Sequence, residues 1–184
     1  TATVLPSGNV MVAGGLGGGI SLNSAEIYDA TSNAWSSGSS FTTGRHGHSA
    51  TLLPSGKVLV AGGLVAPSTY LNSAQLYDAA SNTWSSVGSL ATTRFQHSAT
   101  LLPSGKVLVG GGFNGSFVNG AELYDPASST WSSAGILATS RHLHGAVLLA
   151  SGKVLVAAGV GPPGANGTTL SSTELYDYAS SSWS

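Results

Sequence analysis

The chain has 184 residues, of which only 7% are charged, with a formal net charge of −1 and no cysteine. That is long enough for one domain with a sizeable core. It offers no basic stripe to a nucleic-acid backbone, no disulfide or thiol chemistry, and no apolar run near the ~18 residues of a membrane span.

In chain order, a clipped unit opens at Thr1–Gly15 (TATVLPSGNVMVAGG) and returns in full at His48–Gly63 (HSATLLPSGKVLVAGG), His97–Gly112 (HSATLLPSGKVLVGGG) and His144–Gly159 (HGAVLLASGKVLVAAG). Its closing glycine recurs at Gly15, Gly63, Gly112 and Gly159, steps of 48, 49 and 47 residues, and a repeat of this length sets the architecture. Within each copy, a Pro-Ser-Gly or Ala-Ser-Gly turn separates two apolar runs, which predicts a β-hairpin. The run Val58-Leu59-Val60 is too short for a helix and suits a strand buried on both faces.

A variable loop follows each glycine pair: Leu16–Asn23, Leu64–Asn72, Phe113–Asn119 and Val160–Ser171. A third strand comes next, AEIYD (Ala25–Asp29), AQLYD (Ala74–Asp78), AELYD (Ala121–Asp125) and TELYD (Thr173–Asp177). Alternation places the Glu/Tyr pair on one face and Ile27 or Leu on the other. Trp35, Trp84, Trp131 and Trp183 mark a fourth strand, and a Ser/Gly/Thr linker then leads to Arg45, Arg94 and Arg141. Four short strands per repeat cannot bury their own apolar faces, and stacking such sheets about an axis solves this.

The glycine pair after Val-Leu-Val, the Tyr-Asp closing strand three and the tryptophan of strand four together resemble the kelch motif, in four copies over the whole chain. The resemblance implies an all-β propeller of four-stranded antiparallel blades, with blades at about 1–43, 44–92, 93–139 and 140–184. It also implies that the strand after Arg-x-x-His is innermost, that the tryptophan strand is outermost, and that the variable loops share one face with the arginine segments. Kelch propellers usually close with six or seven blades. Three forms of closure are therefore open: a piece of a longer propeller, which is favoured, a homodimer closing as eight blades, or a four-bladed ring.

All thirteen Lys, Arg, Asp and Glu residues occupy recurring positions, so each has a structural reading and no set of unlike groups converges as a catalytic centre requires. The periodic His48, His97 and His144 read as structural. His46/His48 and His142/His144, spaced i, i+2 and so expected on one strand face, have the geometry of metal-ligand pairs, but no cysteine or spare carboxylate lies nearby to complete a site. Galactose oxidase, an enzyme with a kelch propeller, uses copper and a cysteine-crosslinked tyrosine, and this chain has no cysteine. No cofactor is expected.

The resulting expectation is a non-catalytic recognition or scaffold module. Its partner is a protein or peptide, bound through Arg45, Arg94 and Arg141 together with the loop residues Tyr70, Phe113, Asn114 and Asn166, beside which Phe117 is a further aromatic outside the repeat. The arginines have two readings, bracing the blade junctions through carbonyls or holding an acidic ligand. The alternatives are a carbohydrate-binding module and a purely self-assembling structural role. The Ser, Thr and Gly content resembles that of secreted or surface β-proteins.

Overall fold

The computed structural model describes residues 1–162 and 167–184. One candidate residue, Asn166, lies outside them. Among the described residues there is no helix, and the strands form four four-stranded antiparallel sheets and two small hairpins. Blade 2 is typical. Ser49–Leu52 pairs with Val58–Ala61, which pairs with Ala74–Asp78, which pairs with Thr83–Val87. Blade 1 runs Ala2–Val4, Val10–Gly17, Ile20–Asp29, Ala34–Gly38. Blade 3 runs Ser98–Leu101, Val107–Gly110, Gly120–Asp125, Thr130–Ile136, and blade 4 Gly145–Leu148, Val154–Ala157, Thr173–Asp177, Ser182–Trp183.

The first strands of successive blades pack side by side, blade 1 on 2, 2 on 3 and 3 on 4. No comparable packing joins the first strand of blade 4 back to that of blade 1 among the described residues. The sheets therefore radiate from their first strands, with the tryptophan strands outermost.

Burial follows from period-2 alternation. The leading face of each blade presents two valines and the strand-three tyrosine to the preceding blade. Its trailing face presents leucine and alanine to the next. Three apolar layers result. Met11, Ala13 and Ala25 meet Val58, Val60 and Tyr77; Leu59, Ala61 and Leu90 meet Val107, Val109 and Tyr124; Leu108, Leu123 and Leu137 meet Val154, Val156 and Tyr176. Nearly all of these side chains are fully buried. At about 1.5–3 kcal/mol per buried aliphatic side chain, these layers are the main force holding sheet to sheet.

Each linker histidine then pins its blade to the one before. The His48 ring shares a 2.9 Å hydrogen bond with the Thr1 hydroxyl, His97 one of 2.9 Å with Ser49, and His144 one of 2.8 Å with Ser98. These rings need glycine beneath them. A Cβ at Gly62 would lie 2.8 Å from His97 Cε1 and 2.6 Å from the Arg94 carbonyl oxygen.

Candidate recognition surface

The variable loops and the Arg-x-x-His segments lie on one face because their backbones pair. Gly15, Gly63 and Gly112 N–H donate to the carbonyls of Arg45, Arg94 and Arg141 at 2.8–2.9 Å. Bridges join His46 to Leu64, Phe95 to Phe113 and His142 to Val160. The segments also bond to each other around the centre, Gln96 N–H to the Gly47 carbonyl at 2.8 Å and Leu143 N–H to that of Gln96 at 3.0 Å.

Of the two readings of the arginines, the structure shows bracing. Arg45, Arg94 and Arg141 are 1%, 0% and 0% exposed. Arg94 Nη1 donates to the carbonyls of Gly111 (2.6 Å) and Gly120 (3.0 Å), and its Nη2 to Glu122 (2.7 Å). Arg141 does the same with Ala158, Ser172 and Glu174. Arg45 reaches the carbonyls of Gly62 and Ser73 and the Ser73 hydroxyl, with Gln75 where the other blades have glutamate. The expectation that these arginines face a ligand is corrected accordingly, since a planar fork sunk among its own blade's carbonyls presents no N–H to solvent. Burial lowers the Arg45 guanidinium to about 10. It lowers that of Arg94 as well, with the Glu122 carboxylate working in the opposite direction.

The expected one-face placement of His46 with His48, and of His142 with His144, is also corrected. The intervening Gly47 and Leu143 have φ of +59° and +54°, and this left-handed turn breaks strand alternation. His48 and His144 point inward, while His46 shares a 2.9 Å hydrogen bond with Ser21 and His142 one of 3.0 Å with Gln96.

What gathers on the loop face is aromatic. Phe113 lies 5.9 Å from Tyr70, 5.5 Å from Phe117 and 5.4 Å from His142, ring centre to ring centre, mostly edge to face. Phe117 lies 5.4 Å from His142, and Phe95 5.3 Å from His46. All six rings are half-buried. They come from the blade 2 and blade 3 loops and from all three linker segments. The Asn114 carboxamide oxygen accepts from Ser116 N–H at 3.3 Å, so it forms the turn that folds Phe117 back beside Phe113. Desolvation holds the His142 imidazole below its usual range.

Tyr70, Phe113 and Asn114 are thus brought together, and Phe95, Phe117, His46 and His142 join them. The sequence signal for the added linker residues is their departure from the repeat, with phenylalanine at 95 where histidine stands at 46 and 142. The described loops between strands two and three contain no Asp, Glu, Lys or Arg. Elsewhere, five ion pairs take ten of the thirteen charges, including Lys57–Asp78 at 3.2 Å, Lys106–Asp125 at 3.0 Å and Lys153–Asp177 at 3.0 Å.

Residues 1–184 match the model of the KLHDC2/KLHL20/DRC7 Kelch-repeats domain. The chain belongs to the Kelch-repeat family. No curated protein matches it. Kelch-repeat domains are generally non-enzymatic protein-interaction scaffolds.

Proposed function

We propose that this Kelch-repeat chain is a protein- or peptide-recognition module whose contact centre is the ring cluster of Tyr70, Phe95, Phe113, Phe117, His46 and His142. The observation that supports this reading is the convergence of six half-buried rings from the blade 2 and blade 3 loops and the three linker segments on the loop face. Rigid aromatic rings bury large area at low entropic cost and recur as binding hot spots. Most of the ring pairs meet edge to face, and such a cluster offers apolar ring surface to a partner's side chain. With the arginines buried, recognition here rests on apolar contact and hydrogen bonding.

A peptide-display selection against the chain, run beside a glycan array, tests this. Selected peptides are expected to carry apolar or aromatic residues, to bind with little dependence on salt, and to lose at least tenfold in affinity on Phe113→Ala with Phe117→Ala. Glycan binding lost in the same double variant, with no peptide selected, would replace this reading with the carbohydrate-binding one.

A further inference from the structure

The two histidines of the ring cluster differ from the three inner ones in the nitrogen they leave free. In His48, His97 and His144 the Nε2 is bonded to a hydroxyl and the Nδ1 is enclosed. In His46 and His142 the bonded atom is Nδ1. Their Nε2 atoms have no partner among the described residues and are not enclosed, so both reach solvent on the loop face.

The protons on these two rings follow from their partners. The Ser21 hydroxyl oxygen lies 2.9 Å from His46 Nδ1, 3.1 Å from the Leu64 carbonyl oxygen and 2.8 Å from the Ala66 nitrogen. It accepts from Ala66 N–H and donates its single proton to the carbonyl, which has none to give. All three contacts are met only when His46 Nδ1 carries the proton of the shared bond. His142 Nδ1 lies 3.0 Å from the Gln96 carboxamide oxygen. That oxygen only accepts, so this Nδ1 is a donor too. A neutral imidazole protonated at Nδ1 has its lone pair at Nε2. Desolvation favours the neutral form of His142.

Two outward lone pairs therefore stand among four other half-buried rings. His46 meets the Phe95 ring at 76°, and His142 lies 5.4 Å from both Phe113 and Phe117. Ring faces carry negative partial charge as well. No positive charge of the chain offsets this. Arg45, Arg94 and Arg141 are enclosed. Lys57, Lys106 and Lys153 follow the hairpin turns at the opposite end of the sheets, each paired with an aspartate.

We propose, resting on the ring cluster as the contact centre, that it takes an arginine side chain of a protein or peptide partner. The guanidinium N–H groups donate to the Nε2 of His46 or His142, and its plane lies against a neighbouring phenyl ring. Guanidinium suits both features at once, because its five N–H donors share one plane and that plane stacks on aromatic rings. A lysine ammonium is a compact, strongly hydrated charge without such a plane. A carboxylate would meet lone pairs and ring faces of its own sign. The seat itself is uncharged, so binding depends little on salt.

The repeat supplies a control. Phe95 follows Arg94 as His46 follows Arg45 and His142 follows Arg141, so this position accommodates phenylalanine, which keeps a ring and has no lone pair. Peptide-display selections on the whole chain, and on the chain carrying His46→Phe with His142→Phe, test the proposal, with circular dichroism to verify folding. Arginine flanked by apolar residues is expected to be enriched on the first and not on the second. The strongest selected peptide, labelled and read by fluorescence anisotropy, is expected to bind about tenfold more weakly to the doubly substituted chain. A similar loss is expected when its arginine is replaced by citrulline, which keeps the shape and loses the charge. Equal affinity of the citrulline peptide, a measurement that needs no variant chain, would overturn the proposal. Selected peptides that need Phe113 and Phe117 but carry no arginine would overturn it too, and leave the recognition reading standing. No selected peptide at all would remove both. Glycan binding that is lost in the doubly substituted chain would assign the two acceptors to sugar hydroxyls and end the proposal.

Discussion

Blades 2 and 3 bury the same arginine in different company. Arg94 in blade 3 meets two carbonyls and Glu122. Arg45 in blade 2 meets two carbonyls and a serine hydroxyl, lies 5.4 Å from the Phe41 ring centre, and has Gln75 where the acid would be. The Gln75 amide nitrogen donates to Thr42 at 3.3 Å, while its carboxamide oxygen is buried without a partner; Arg45 Nε and Arg94 Nε are alike in being buried and unpartnered. The first three strands of the two blades nonetheless pair in the same register, and the glycines of their turns hold the same φ, while blade 3 alone of the two has a register shift between Gly120 and Glu122 where strand three meets strand four. The carbonyl pair is therefore what the arginine is needed for. The acid is an addition that settles a charge already desolvated.

The largest effect expected is common to blades 2, 3 and 4 and tests whether their shared inner histidines are buried and neutral. Burial lowers His48 to about 3 and His144 to about 4, and pushes His97 well below its usual range. An unfolded histidine titrates near ~6.5. Below that pH the unfolded chain takes up protons that the folded chain refuses. Stability is thus full above pH ~6.5 and falls steadily towards pH ~4, by several kcal/mol in all. Urea midpoints at a series of pH values measure this, and a midpoint that stays level between pH 7 and 5 would show the rings to be accessible.

Next in size is Glu122→Ala, which strands Arg94 and two backbone N–H groups and is expected to cost about 3–5 kcal/mol. Gln75→Ala, the matched change in blade 2, removes one neutral hydrogen bond and costs about 1 kcal/mol. Equal losses in urea denaturation would erase the distinction between the blades. Gln75→Glu sharpens it from the other side. An acid beside Arg45 is expected to add ~1 kcal/mol, read as a rise of roughly 2–4 °C in Tm for a chain of this size. The smallest change is Ala158→Gly. Ala158 holds φ of +59° where two other blades have glycine at +64°, and relieving a left-handed alanine adds about 1 kcal/mol.

Much of the fold was legible because it is written locally. Pro-Ser-Gly turns, Val-Leu-Val runs and Tyr-Asp strand ends each have one comfortable conformation, and the repeat copies that conformation four times. The site was legible only in part. Tyr70, Phe113, Phe117 and Asn114 stand out as departures from the repeat in the loops, whereas Phe95 and His142 differ from copy to copy inside an otherwise repeating segment, where the sequence alone points to no ring cluster. The arginines misled for a related reason. Their periodicity was plain, but a recurring arginine reads the same whether its fork points at solvent or at a carbonyl seventeen residues on, as between Arg45 and Gly62.

The amino-acid sequence by itself determined the sheets, their order and which valines and leucines face a neighbour, since turn chemistry and alternation act over a few residues. The tertiary structure alone decided that three arginines are enclosed and that rings from separate loops and linkers meet on one face. Identical repeat positions differ only in what packs against them, and that depends on contacts between residues dozens of positions apart.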